Sequence, residues 1–200
     1  MKTARIISIV GHPIFHPSLM MIILMCTGIT SFMPQSNHIF LIINLLMTFL
    51  IPALVIMMMK RWNLIKSVEM EEREDRLGPL FIMLLFLYAS YRYFNKMPMF
   101  TIYNFYLATV IVVTVLAFIV SFFWKISLHM LGWGCFTSFL FIMTTASIRT
   151  YLLYFIASVI ISGIVAAARM KLKSHSNTQI YTGFAMGFAT VVVMYFFLLV

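Results

Sequence analysis

The fold class follows from one stretch of the sequence, TIYNFYLATVIVVTVLAFIVSFFW at positions 101–124. It contains no charged residue, and it is longer than the about 20 residues that an α-helix needs to cross the hydrocarbon of a bilayer. The whole chain agrees, because 63% of its 200 residues are hydrophobic and 10% are charged, whereas a soluble domain has about 25% charged residues. The sequence therefore predicts an integral membrane protein.

Six further apolar runs flank this stretch, separated by short polar or charged loops. Their positions are 18–33, 38–59, 80–94, 127–145, 151–168 and 180–200. The run at 18–33 is short, lies between a proline-rich entry and a break at Pro34, and leaves six and seven crossings open. We expect one polytopic domain over residues 1–200, an all-α helical bundle of six or seven membrane segments. Small residues such as Gly183 and Gly187 would let its helices approach closely.

The charged and sulfur-containing residues exclude several kinds of function. All five acidic residues stand in one loop, at positions 69, 71, 72, 74 and 75, so sites built from paired carboxylates have no distributed ligands. Cys26 and Cys135 stand alone and give no metal-ligand spacing. The net charge of +9 comes from basic residues between apolar runs, where such residues meet lipid headgroups. Nucleic-acid binding is therefore disfavoured.

Polar residues beside membrane segments invite a functional explanation, and three groups of them stand out. They are KSVEMEEREDRLGP at 66–79, KISLH at 125–129 and ARMKLKSHSNTQ at 168–179. Two apolar runs separate each group from the next. Because two crossings return the chain to the same face of the membrane, all three groups can meet there. Together they would place arginines, a hydroxyl and two histidines around one pocket, which is the chemistry of a phosphate site.

The third group resembles the third motif of the type-2 phosphatidic acid phosphatase superfamily, S-R-x5-H-x3-D with glycines shortly after. Arg169, His175 and Gln179 stand at the motif's spacing, and Gly183 and Gly187 follow. Glutamine stands at 179 where the family has aspartate. The resemblance covers roughly the last two thirds of the chain, from position 66 to 200.

The other two groups resemble the remaining motifs of this family. Ser127 and His129 look like the end of the second motif, P-S-G-H. Lys66 with Arg73 fits the first motif, K-x6-R-P, and Arg76 is a looser candidate for its arginine. Further departures from the family pattern are Leu128 for Gly, Ile126 for Pro, Ala168 for Ser and Glu74 for Pro.

The resemblance implies a phosphatase that acts on a membrane lipid phosphate or diphosphate, such as phosphatidic acid, phosphatidylglycerol phosphate or a polyprenyl diphosphate. It implies no metal and no other cofactor. His175 would attack phosphorus and form a phosphohistidine, and His129 would protonate the leaving alcohol and then activate water. Gln179 would orient His175. The residues implied to bind the phosphate oxygens are Arg169, Ser127, Lys66 and either Arg73 or Arg76.

Plainer interpretations of the same residues stay open. His129 is compatible with a packed histidine, His175 with a solvated loop, and the basic run 169–173 with lipid-headgroup binding. Gln179 carries no charge with which to stabilise His175. The alternative function is therefore a weak or inactive member of the family that binds or moves an anionic lipid. A transporter is disfavoured because acidic residues are absent from every membrane segment.

The distribution of basic residues leaves the orientation of the chain open. With seven crossings, most of the fourteen Lys and Arg residues share the face of the three polar groups, which the positive-inside rule assigns to the cytoplasm. With six crossings, nine of the fourteen share that face, and the count becomes five against five when the four candidate phosphate ligands (Lys66, Arg73, Arg76 and Arg169) are left out. The resemblance implies an outward-facing site, and we expect a multi-pass protein of a bacterial cytoplasmic membrane whose partners are the bilayer and a phosphorylated lipid.

Overall fold

The computed structural model describes residues 1–29, 36–67 and 72–198. The predicted break at Pro34 and the acidic residues Glu69 and Glu71 lie outside these ranges. Within them the chain forms nine α-helices and no strand. The helices are Lys2–Val10 (α1), His16–Cys26 (α2), Asn37–Leu45 (α3), Ile51–Arg61 (α4), Glu74–Phe94 (α5), Thr101–Ser121 (α6), Leu128–Ala146 (α7), Ile148–Lys171 (α8) and Asn177–Leu198 (α9).

Seven helical segments in the described ranges are long and apolar enough to cross a membrane. Four short helices combine in pairs to give the first two segments, and each later segment contains one long helix. The segments are Lys2–Cys26, Asn37–Arg61, Glu74–Phe94, Pro98–Ser121, Leu128–Ala146, Ile148–Lys171 and Asn177–Phe197. The prediction of an all-α, multi-pass membrane protein is confirmed.

The first membrane segment begins earlier than its apolar run. Helices α1 and α2 are joined by a 3-10 turn at Pro13–Phe15, and α2 ends at Cys26, so the segment is Lys2–Cys26 rather than 18–33. Two prolines are tolerated because each stands in the first turn of a helical piece. At such a position the N–H that proline lacks would have no partner within the helix.

Helix α5 also begins before its apolar run, at Glu74. Glu74 and Asp75 occupy its first turn, where carboxylates interact favourably with the positive end of the helix dipole. The carboxylate of Asp75 accepts hydrogen bonds from the backbone N–H groups of Lys66 (3.0 Å) and Ser67 (3.2 Å). Part of the acidic cluster therefore serves to start a helix and to hold the preceding loop.

The chain packs as two compact units. The central unit is Ile14–Trp124 and contains α2 to α6; the terminal unit combines Met1–Pro13 with Lys125–Val200 and contains α1 and α7 to α9.

A buried polar network connects three helices of the central unit. The side-chain amide of Asn44 donates to the hydroxyl of Ser18 (3.2 Å), and its oxygen accepts a hydrogen bond from the hydroxyl of Tyr103. The hydroxyl of Thr48 donates to the Asn44 carbonyl (2.8 Å), within the single π-helical turn Leu46–Leu50 that joins α3 to α4. Such bonds stabilise helix contacts in an apolar solvent, where unsatisfied polar groups are costly.

Glycines bring the backbones of α7 and α9 together in the terminal unit. A Cβ atom added at Gly187 would lie 2.1 Å from the carbonyl oxygen of Leu131, and one at Gly134 would lie 2.1 Å from that of Phe184. A Cβ at Gly183 would lie 2.9 Å from the carbonyl oxygen of Ser127. No side chain fits at these positions, and the predicted role of Gly183 and Gly187 in close helix packing is confirmed.

Replacing Gly187 tests this contact. We expect Gly187→Ala to lower the stability of the detergent-solubilised protein by about 1–3 kcal/mol, because the added methyl collides with a backbone carbonyl. The measurement is the thermal unfolding midpoint followed by circular dichroism. The matched control is Gly163→Ala on α8, where an added Cβ meets nothing within 4 Å. Its midpoint should stay the same or rise, since alanine favours helix; equal losses in both variants would contradict the close α7–α9 packing.

Candidate functional site

His175 and Gln179 meet at the start of α9, where Ser176 and Gln179 form a capping box. The backbone N–H of Gln179 donates to the Ser176 hydroxyl (3.3 Å), and the backbone N–H of Ser176 donates to Gln179 Oε1 (3.1 Å). This reciprocal pairing satisfies two N–H groups that the start of a helix leaves open. The same Oε1 lies 3.1 Å from Nδ1 of His175. Gln179 thus both caps the helix and holds the histidine.

The capping box determines the protonation pattern of His175. A backbone N–H can only donate, so the Gln179 atom that faces Ser176 is the amide oxygen. That oxygen can only accept, so Nδ1 of His175 carries the proton in this contact. Nε2 of the neutral ring then holds the lone pair, which is the form that a nucleophile requires.

The start of α7 lies directly against the start of α9. Ser127 is the N-cap of α7, and its hydroxyl accepts from the backbone N–H of Met130 (3.5 Å). Its own N–H donates to the carbonyl of Gln179 (3.3 Å). The second residue of α7 is His129. Residues of the predicted second and third motifs are therefore brought together within the terminal unit.

Arg169 and His129 both contact a residue that the motifs do not include, Ser8 of α1. Nη1 of Arg169 donates to the Ser8 hydroxyl (2.9 Å). Nε2 of His129 lies 3.1 Å from the Ser8 carbonyl oxygen and 3.5 Å from its hydroxyl. Ser8 is buried between the two side chains.

The end of α1 adds a further histidine. The rings of His12 and His129 form a T-shaped pair, with centroids 4.7 Å apart and an interplanar angle of 79°. Gly11 is packed closely enough that an added Cβ would lie 2.5 Å from Val165, and its carbonyl accepts from the indole N–H of Trp133 (2.9 Å).

Sequence reasoning missed Ser8 and His12. The available signal was the uncharged stretch 6–17, which contains Ser8 and the Gly-His-Pro break at 11–13 but was not assigned to a membrane segment.

The positive charge of the site comes from the guanidinium of Arg169, which stands beside three imidazoles. His129 lies within electrostatic reach of His12, Arg169 and His175. The terminal unit contains no acidic side chain in its sequence, because all five stand at 69–75. A guanidinium in a unit whose sequence has no acidic side chain favours binding of an anion.

The burial of these residues separates them from the neighbouring lysines. His175 is 9% exposed, which does not fit the plain alternative of a solvated loop residue. Lys171 and Lys173 are exposed, as expected of residues that face lipid headgroups. Lys173 has a φ of 52°, in the left-handed region that few non-glycine residues adopt, within the turn between α8 and α9. This sharp turn separates the exposed lysines from buried His175.

The predicted first-motif residues lie in the central unit. Lys66 is exposed, and its hydrogen bond and ion pair with Glu72 raise the pKa of its amine. Arg73 is exposed and donates from Nη1 to the carbonyl of Phe123 (3.1 Å). Arg76 is buried. Both arginines remain candidates for the first motif, and the proximity of this loop to His175 stays a prediction.

Comparisons of the chain with protein-family models, curated proteins and solved structures found no match. The positions and contacts of the side chains are therefore the basis on which a function can be assigned.

The hydrogen bond from Trp133 to Gly11 can be tested by hydrogen exchange. We expect Trp133→Phe to speed deuterium uptake in the peptide that covers α1 at least about fivefold, because a buried carbonyl loses its donor at a cost of roughly 1–3 kcal/mol. Trp62→Phe is the control, since Trp62 is 63% exposed. Uptake is measured by mass spectrometry in the same detergent. Unchanged uptake in Trp133→Phe would show that this bond does not hold α1.

Proposed function

We propose that this protein is a metal-independent integral-membrane phosphatase that hydrolyses a lipid phosphate or diphosphate through a phosphohistidine. The observation that carries the proposal is the arrangement of His175, whose Nδ1–H is held by Gln179 and whose Nε2 keeps its lone pair. His129 and Arg169 stand in the same unit, whose sequence contains no acidic side chain. Substrates of the expected class are phosphatidic acid, phosphatidylglycerol phosphate and polyprenyl diphosphates.

The proposed reaction has two steps. His129 first takes up a proton from solvent; Nε2 of His175 then attacks phosphorus while the bond to the lipid oxygen breaks, and His129 gives that proton to the lipid oxygen. Water then attacks the phosphohistidine, His129 takes a proton from the water, and the nitrogen–phosphorus bond breaks to release inorganic phosphate. Both rings return to the states they had before the attack on phosphorus, so no metal or redox partner is required.

The phosphate oxygens need donors whose charge or dipole is in place before reaction. Nη1 of Arg169 donates to Ser8, and the guanidinium would bind the phosphate oxygens in the orientation that this bond gives it. The hydroxyl of Ser127 accepts from Met130, so its own proton can be donated. By the family resemblance, Lys66 and one of the two arginines, Arg73 or Arg76, would be the remaining donors to the phosphate oxygens.

The neutral side chain of Gln179 favours a second candidate function, a catalytically weak protein that binds or moves an anionic lipid. An amide oxygen orients His175 as a carboxylate would, but it contributes no negative charge when the ring becomes positive. The same basic pocket would then hold a phosphate headgroup without cleaving it. For either function we propose an outward-facing site in a bacterial cytoplasmic membrane.

Substitution of His175 tests the nucleophile. The purified protein should release inorganic phosphate from at least one of the three lipid classes in detergent that contains EDTA, and His175→Ala should reduce the rate to that of the uncatalysed reaction. His38→Ala is the matched control, because His38 is exposed at the start of α3 in the central unit. Equal release by wild type and His175→Ala would overturn the proposed mechanism.

Restoring a carboxylate at 179 separates the two candidate functions. For an enzyme, we expect Gln179→Asp to raise turnover at least about tenfold, since the reverse change at the orienting aspartate of serine proteases costs about 10⁴. Aspartate near a helix N-terminus also suits the helix dipole, so the fold should be kept. Turnover is measured alongside binding of the same lipid to the purified protein. Weaker lipid binding with no gain in turnover would favour the binding protein.

A further inference from the structure

Ser8 of α1 makes different contacts from the buried serines of α8, the long helix of the same unit. The hydroxyls of Ser158 and Ser162 donate to carbonyls of their own helix, at 2.7 and 2.8 Å, as serines in helices commonly do. The hydroxyl of Ser8 instead lies between Arg169 Nη1 (2.9 Å) and His129 Nε2 (3.5 Å), which come from two other helices. Its contacts are those of a residue that holds other side chains in place.

The carbonyl of Ser8 is open to a side chain because α1 ends close to it. In a continuing helix this carbonyl would accept from the N–H of His12, but that N–H donates to Ile9 (3.2 Å). The last carbonyls of a helix lack partners within the helix and can accept from elsewhere. Nε2 of His129 lies 3.1 Å from the Ser8 carbonyl oxygen.

This contact determines which nitrogen of His129 is protonated. A carbonyl oxygen only accepts, so Nε2 carries the proton, and Nδ1 of the neutral ring holds the lone pair. His175 has the complementary arrangement, with Nδ1 held by Gln179. Each of these two imidazoles is thus held through one nitrogen by a neutral oxygen. The ring of His12, which packs against the ring of His129, further limits rotation of the His129 imidazole.

We infer that Ser8 is a positioning residue of the phosphate site, whose carbonyl orients His129 and whose hydroxyl orients Arg169. This inference rests on the proposed function, because it assigns Ser8 a role through two residues that the proposal uses. It adds α1, which contains none of the three motifs, to the elements that build the site. An oriented guanidinium binds phosphate oxygens without first losing its rotational freedom.

The test compares Ser8→Ala with Ser162→Ala, two buried serines of which only the first contacts Arg169. Ser8→Ala should lower kcat/KM for the lipid substrate by roughly 10- to 100-fold, by analogy with the loss of a residue that orients a metal ligand. It should weaken the binding of inorganic phosphate, measured by isothermal titration calorimetry, by about tenfold. Ser162→Ala should leave both quantities unchanged, and Ser8→Thr should restore them.

The outcomes separate this inference from the proposed function. If wild type hydrolyses lipid phosphate and Ser8→Ala is equally active or faster, the inference is overturned and the function stands. A faster variant would mean that the hydroxyl competes with phosphate for Arg169. If wild type hydrolyses nothing, the proposed function fails, and phosphate binding decides the inference: weaker binding in Ser8→Ala than in Ser162→Ala supports it, and equal or absent binding overturns it.

A second measurement applies if Ser8→Ala does not fold. Nitrogen-15 NMR of histidine-labelled wild type should show neutral His129 protonated at Nε2, with the signal assigned by its loss in His129→Gln. Protonation at Nδ1 would overturn the inference, because His129 would then not donate to the carbonyl of Ser8.

Discussion

The contact between the backbones of α7 and α9 is the constraint on which the candidate site depends. In a lipid environment there is little hydrophobic force between helices, so association requires close van der Waals packing and polar contacts. Glycines at 134, 183 and 187 remove the side chains that would keep the two backbones apart. At this distance the N–H of Ser127 reaches the carbonyl of Gln179. The two helix starts, and the histidines beside them, are thereby held together.

The site orients two imidazoles without using a carboxylate. Gln179 holds His175 from within a capping box, so one side chain starts α9 and selects the tautomer of the adjacent histidine. The carbonyl of Ser8 acts in the same way on His129. The sequence of the terminal unit contains no acidic side chain. In the proposed function an anionic phosphate group would therefore be the negatively charged partner of Arg169.

Much of this organisation could be predicted from local sequence. The uncharged run at 101–124 requires a membrane helix by its length alone, and the spacing of Arg169, His175 and Gln179 marked one side of the site. The even number of apolar runs between the polar groups predicted that they share a face, and Ser127 and Gln179 do meet. The beginning of the first segment could not be predicted, because prolines in the first turn of a helix and prolines that end one look alike in the sequence.

By itself the sequence determined the all-helical membrane class, the close-packing glycines and the candidate histidines, because hydropathy and residue spacing act over short distances along the chain. Tertiary structure alone decided that Ser8 and His12 belong to the site. Ser8 is 121 residues from His129 and 161 from Arg169, and a lone serine in an apolar helix carries no spacing pattern that would link them. The protonated nitrogen of each imidazole was likewise decided in three dimensions, since it depends on which oxygen lies within hydrogen-bonding distance of the ring.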